Sequence, residues 1–127
     1  MTLSRQHSET RVPELVSARC ERLIAAPGTR PGTVGLLYLL ADGVWYRMFV
    51  DAGLFFLDEC AGPDSKDDLC EGESYVDLSS ELACAGETIR ELAMKNGVLT
   101  IRFSHTSVAF REDEEGAMRI EDRGGGP

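Results

Sequence analysis

Pro31–Cys60 reads PGTVGLLYLLADGVWYRMFVDAGLFFLDEC, and it aligns without a gap to Ala85–Glu114, AGETIRELAMKNGVLTIRFSHTSVAFREDE. Gly32 meets Gly86, Asp42-Gly43-Val44 meets Asn96-Gly97-Val98, Phe49 meets Phe103 and Phe56 meets Phe110. Conservative matches fall between them: Leu40 with Met94, Trp45 with Leu99, Leu54 with Val108. Asp-Gly and Asn-Gly readily take the positive φ values of a two-residue type I′ turn, so each copy is expected to run strand, tight turn, strand, short turn, strand. The second turns fall at Asp51-Ala52-Gly53 and His105-Thr106-Ser107.

Upstream of the repeat, Val12, Leu15, Val16, Cys20, Leu23 and Ile24 recur at helical spacing, with Glu14, Arg19, Glu21 and Arg22 opposite. Thr10 can cap such a helix, Pro13 suits its first turn and Pro27-Gly28 ends it. The expected fold is therefore α+β: an N-terminal helix packed on one antiparallel sheet, or two, made of two repeated three-stranded β-meanders. It fills a single domain, 1–127. Residues 1–11 are a flexible N-terminus, 12–26 the helix, 31–60 the first meander, 61–84 an acidic connector, 85–114 the second meander and 122–127 a tail. Glu73–Leu78 is expected to hold a short connecting strand, and Ala117–Glu121 an edge strand.

With 43% hydrophobic and 28% charged residues over 127 positions, the chain has the composition of one self-sufficient globular core. Its net charge of −9 repels phosphate backbones, which argues against nucleic acid as a partner. No stretch approaches the roughly 20 apolar residues of a membrane span, and Met1–Arg11 lacks the apolar run of a signal peptide. The expected compartment is the cytoplasm, or one reached by a route that leaves no cleaved signal. Cys20, Cys60, Cys70 and Cys84 show no CxxC spacing, and Cys60, Cys70 and Cys84 with His105 match no zinc-site spacing. They read most simply as buried small hydrophobes or free thiols. Asp64, Asp67 and Asp68 do not follow a calcium-loop pattern. No metal or other cofactor is expected. No GxSxG, HExxH or Walker motif is present, and His7 falls in the expected flexible N-terminus and His105 in an expected hairpin turn, so an enzyme is not expected.

Two features bear on binding. In the strand after Asp42-Gly43, Val44, Tyr46, Met48 and Val50 take one face, and Trp45, Arg47 and Phe49 the other, so both faces want cover. The expected helix covers one, leaving the other for the second meander, a homodimer partner or a different protein. In the second copy Leu99, Ile101 and Phe103 alternate with Thr100, Arg102 and Ser104, a strand with one wet face. Arg47 stands where the repeat has Ile101. Either it grips an anion or partner while stacked on aromatics, or its stem covers them and its head pairs with Asp51 or Asp58. The second feature is the run of eight carboxylates from Asp58 to Asp77, broken by one base, Lys66. Asp64, Asp67, Asp68, Glu71 and Glu73 within it either steer onto a basic partner or are simply solvated. On either reading, exposed charges of this kind contribute little to stability.

The phrases DGVWYRMFVDAGLFF and ETIRELAMKNGVLTIRFS, with YVDLSSEL before the second, resemble the meander blocks of small bacterial immunity proteins that accompany polymorphic toxins. The resemblance covers residues 31–111 and brings no catalytic residues. It implies binding without chemistry: an intracellular inhibitor that occludes a basic toxin with its acidic loop and aromatic face. The alternative is a homo-oligomeric small-ligand-binding or structural protein, in which the apolar face joins subunits and Arg47 holds an anion.

Overall fold

The computed structural model describes residues 3–122, and Val12–Ile24 forms no α-helix. Instead the chain runs through β1 (Ser4–His7), β2 (Thr10–Arg11), a 3-10 turn (Pro13–Leu15) and β3 (Cys20–Pro27). The stretch read as a flexible lead thus contains two strands, β1 paired with Phe55–Asp58 and β2 with Ala93–Met94. Thr10, the expected helix cap, is one of the β2 residues. The helical reading failed because spacing alone does not separate an amphipathic helix from a strand covered on both sides. Leu23, Ile24, Ala25 and Ala26 are all buried, so consecutive residues point to two covered faces. Ser17, at φ 77, breaks any helical path between Leu15 and Cys20.

The remaining elements are β4 (Val34–Ala41), β5 (Val44–Asp51), β6 (Leu54–Cys60), α1 (Ser65–Asp68), β7 (Val76–Asp77), α2 (Leu78–Glu81), β8 (Ile89–Lys95), β9 (Val98–Phe103), β10 (Ser107–Glu112) and β11 (Met118–Asp122). Asp42 (φ 48) with Gly43 (φ 79), and Asn96 (φ 53) with Gly97 (φ 77), make the tight turns that the dipeptides announce. Strands β4–β5–β6 and β8–β9–β10 are antiparallel meanders. The sheet order is β1-β6-β5-β4-β11-β10-β9-β8-β2, with β3 hydrogen-bonded to β4 and β7. Since β1 and β2 end this path yet are separated only by Ser8 and Glu9, the sheet must curl until its ends approach. A bridge from Arg19 to Thr88 tightens the same seam. The protein is thus mostly β, a nearly closed antiparallel barrel whose two α-helices are four residues each, not an α+β sandwich of helix on sheet. Strand β11 is not an edge, because it lies between β10 and β4. The expected tail, 122–127, lies outside the described residues except for Asp122.

The core holds Leu37 and Leu39 of β4, Tyr46, Met48 and Val50 of β5, and Phe55 and Leu57 of β6. They share it with Leu92 and Met94 of β8, Leu99, Ile101 and Phe103 of β9, and Val108 and Phe110 of β10. In the gapless alignment Leu99, Ile101 and Phe103 correspond to Trp45, Arg47 and Phe49; Trp45 and Arg47 stand outside this core, and Phe49, half-buried, only packs against it from its margin. The two meanders therefore repeat their turns but turn opposite faces inward. Because side chains alternate along a strand, this one-residue change of parity puts the core-equivalent residues of β5 and β6 on the opposite face of the sheet.

Candidate protein-interaction face

On the outer face of the first meander the register sets side chains in rows. Trp45 lies between Leu40 and Cys60, Arg47 between Tyr38 and Asp58, and Phe49 beside Phe56. Phe49 and Phe56 stack with centroids 4.7 Å apart and planes 14° apart. Leu36, Leu40, Trp45, Phe49 and Phe56 are half-buried, and Arg47 is exposed. Asp58 accepts a hydrogen bond from the Ser4 hydroxyl at 2.8 Å. Among the described residues Arg47 makes no hydrogen bond or ion pair, although Asp58 is its cross-strand neighbour.

The inner face of β5 joins the core shared with the second meander, not a face covered by an N-terminal helix; the acidic connector covers part of the outer face. Asp64 caps α1 by accepting from the Lys66 N–H at 3.1 Å. Asp68 Oδ2 then accepts from the Tyr38 hydroxyl at 2.7 Å, the Tyr75 hydroxyl at 2.7 Å and the Asp64 N–H at 3.1 Å. The Tyr38 ring meets Trp45 and Tyr75 edge-on, at 6.5 and 6.3 Å. Burial, reinforced by hydrogen bonding to Asp68, pushes the Tyr38 hydroxyl well above the ordinary phenol range, and the same causes push Tyr75 up to about 12. Nearer Trp45, Gly62 has φ +124, and a Cβ there would stand 3.3 Å from the indole. The expectation that Asp64, Asp67 and Asp68 contribute little to stability is therefore corrected for Asp64 and Asp68. Asp68 latches the connector to the sheet, and Asp64 holds a helix end. Asp67 and Glu71 are exposed, and Glu73 accepts from the Cys70 N–H at 2.7 Å.

A cleft of about 600 Å³ opens where β5 and β11 part. Pairing of β5 with β4 ends at Met48 and Leu37, and β11 takes over the β4 edge at Val34. Leu36, Phe49 and Met118 give the cleft apolar lining, while Asp51, Asp68 and Glu73 add carboxylates. Of the residues singled out in the sequence, Phe49, Asp68 and Glu73 thus come together at one cleft. Trp45 lies beyond Tyr38, under Gly62, and Asp64, Asp67 and Glu71 do not line the cleft. Sequence reasoning missed Tyr38, Leu36, Phe56 and Tyr75. The unbroken apolar run Leu36–Ala41 signals a strand covered on both faces and points to the first two.

Such a surface offers apolar and aromatic contact with carboxylates at its margin. No three His, Cys, Asp or Glu side chains are grouped to hold a metal among the described residues, and none of their helices is long and apolar enough to cross a membrane. Compared with known proteins, the chain matches no family model, no curated protein and no solved structure.

Proposed function

We propose that this chain is a non-catalytic, cytoplasmic protein-binding module, an immunity-type inhibitor that occludes a basic toxin with the outer face of β4–β6 and the acidic connector. The observation that carries this reading is the inverted parity of the first meander. Trp45, Phe49 and Phe56 stand where a repeat unit would have core residues, and the connector covers only part of that face. Contiguous apolar surface bordered by charge is the usual mark of an interaction site, and aromatic residues with Arg dominate binding energy in such sites. The net charge of −9 and the exposed Asp67, Glu71 and Glu73 favour encounter with a basic surface.

The test is co-expression with any basic toxin that the neighbouring genes encode, combined with titration of the purified pair through the fluorescence of Trp45, the sole tryptophan of this chain. The reading expects protection of the cells and a complex weakened about 30-fold or more by Phe49→Ala or Phe56→Ala, the loss typical of a binding hot spot. Neither protection nor complex formation by the wild type would overturn it. A second reading has its own observation: Arg47 and Asp58, side by side on the apolar face, can pair reciprocally across a two-fold axis, as a homodimer requires. Sedimentation separates the two, since only the homodimer shows a concentration-dependent doubling of mass that Arg47→Asp abolishes.

A further inference from the structure

Cys20 and Cys84 lie at the seam where the barrel closes, away from the proposed binding face. Both are fully buried. The Cys20 N–H donates to the Glu87 carbonyl at 2.8 Å, and its carbonyl accepts from the Gly86 N–H at 2.7 Å. Cys84 opens the turn that presents those two groups: the Glu87 N–H donates to the Cys84 carbonyl at 3.0 Å, with Gly86 at φ +87. The turn thereby sets the Cys84 side chain against Cys20, and the two thiols are hydrogen-bonded to one another. Cys60 and Cys70, by contrast, are on β6 and the connector and are not buried.

We infer that Cys20 and Cys84 are a disulfide site, oxidised by a small disulfide such as glutathione disulfide, and that the bond staples β3 to the start of the second meander. The Cys20 S–H donates to Cys84, which draws the Cys84 thiol below its ordinary range while Cys20 is held protonated. Cys84 as thiolate attacks one sulfur of glutathione disulfide, breaking its S–S bond and releasing one glutathione thiolate. Cys20 passes its proton to that thiolate and attacks the mixed disulfide at the Cys84 sulfur, releasing the second glutathione as a thiolate, which takes up from solvent the proton that Cys84 gave up. Two protein thiols and one glutathione disulfide become one protein disulfide and two glutathione thiols. Because both sulfurs are out of solvent, the reagent reaches them only when the Cys84–Glu87 turn lifts from β3, so opening of the seam sets the rate. Cys84 also donates its N–H to the Ser79 carbonyl at 3.0 Å, so the staple anchors α2 and the end of the connector.

The experiment uses the full chain carrying Cys60→Ser and Cys70→Ser, equilibrated in glutathione redox buffer at a urea concentration just below the unfolding midpoint, then alkylated and digested. The expected product has lost two hydrogens, yields one linked peptide containing Cys20 and Cys84, and melts roughly 10 °C higher than the reduced form, because the bond closes a long loop in the unfolded chain. The unsubstituted chain gives the same linked peptide, with Cys60 and Cys70 alkylated. Cys20 and Cys84 both recovered alkylated, a bridge to Cys60 or Cys70 in the unsubstituted chain, or an oxidised form that melts no higher would each overturn the inference.

Discussion

Replacing Tyr38 with Phe keeps a ring that is 2% exposed and removes only the hydroxyl that donates to Asp68 at 2.7 Å. A hydrogen bond to a charged group contributes about 1.5–3 kcal/mol, and here water cannot substitute for the lost donor. Asp68 keeps the Tyr75 hydroxyl and the Asp64 N–H, so no carboxylate is left unpaired and the cost falls at the low end, about 1.5 kcal/mol. For a chain of 127 residues that is a fall in Tm of roughly 5 °C. Asp68→Ala strands the buried Tyr38 hydroxyl as well and should cost about 3 kcal/mol. The assay is urea unfolding of both single variants and the double, compared at constant m. If the latch is real, the double variant is no less stable than Asp68→Ala, since the second change removes a donor already unpaired. A cost below about 0.3 kcal/mol for Tyr38→Phe, or additive costs in the double, would refute the reasoning.

Raised phenol pKa values make a linked prediction for alkaline pH: the folded state favours the neutral hydroxyls of Tyr38 and Tyr75, so their contribution is intact below about pH 10 and is lost as pH rises through the folded values. Urea midpoints should fall between pH 10 and 12, less steeply in the variant carrying Phe at both positions. Gly97→Val should destabilise by about 1 kcal/mol or more in thermal melts, because a β-branched residue resists the φ of 77 found there. Asp67→Lys with Glu71→Lys should leave melting within about 0.5 kcal/mol while slowing association with the proposed basic partner, and the wild-type rate should fall with salt. Asp68→Lys should destabilise strongly in the same melts.

Short-range chemistry was the legible part of this sequence. Asp42-Gly43 and Asn96-Gly97 specify their turns through backbone conformations that few residues accept, and they do so whatever surrounds them. The strand at Cys20–Pro27 was not legible, since its buried residues fit a helical period as well as a strand covered on both faces, and only pairing with β4 decides between them. Nor was parity: the alignment of Ile101 with Arg47 is sound as a match of turns, yet which face turns inward is set by how the two meanders pack. At the candidate site, alternation along β5 placed Trp45, Arg47 and Phe49 together without help from the structure. Asp68 stayed hidden among like charges, because its role depends on Tyr38, thirty residues away in sequence.

The central claim is that the first meander presents outward the face that the second buries, and the paired variants Phe49→Asp and Phe103→Asp test it most directly. Thermal unfolding followed by circular dichroism should show Phe49→Asp folding cooperatively with a loss of about 2 kcal/mol, the worth of its stack on Phe56 and of its partial packing against the core. Phe103, at 4% exposure in the core, should not tolerate the change, and that variant should be unfolded or lose about 4 kcal/mol or more. Equal losses at the two positions, or a larger loss at Phe49, would contradict the account.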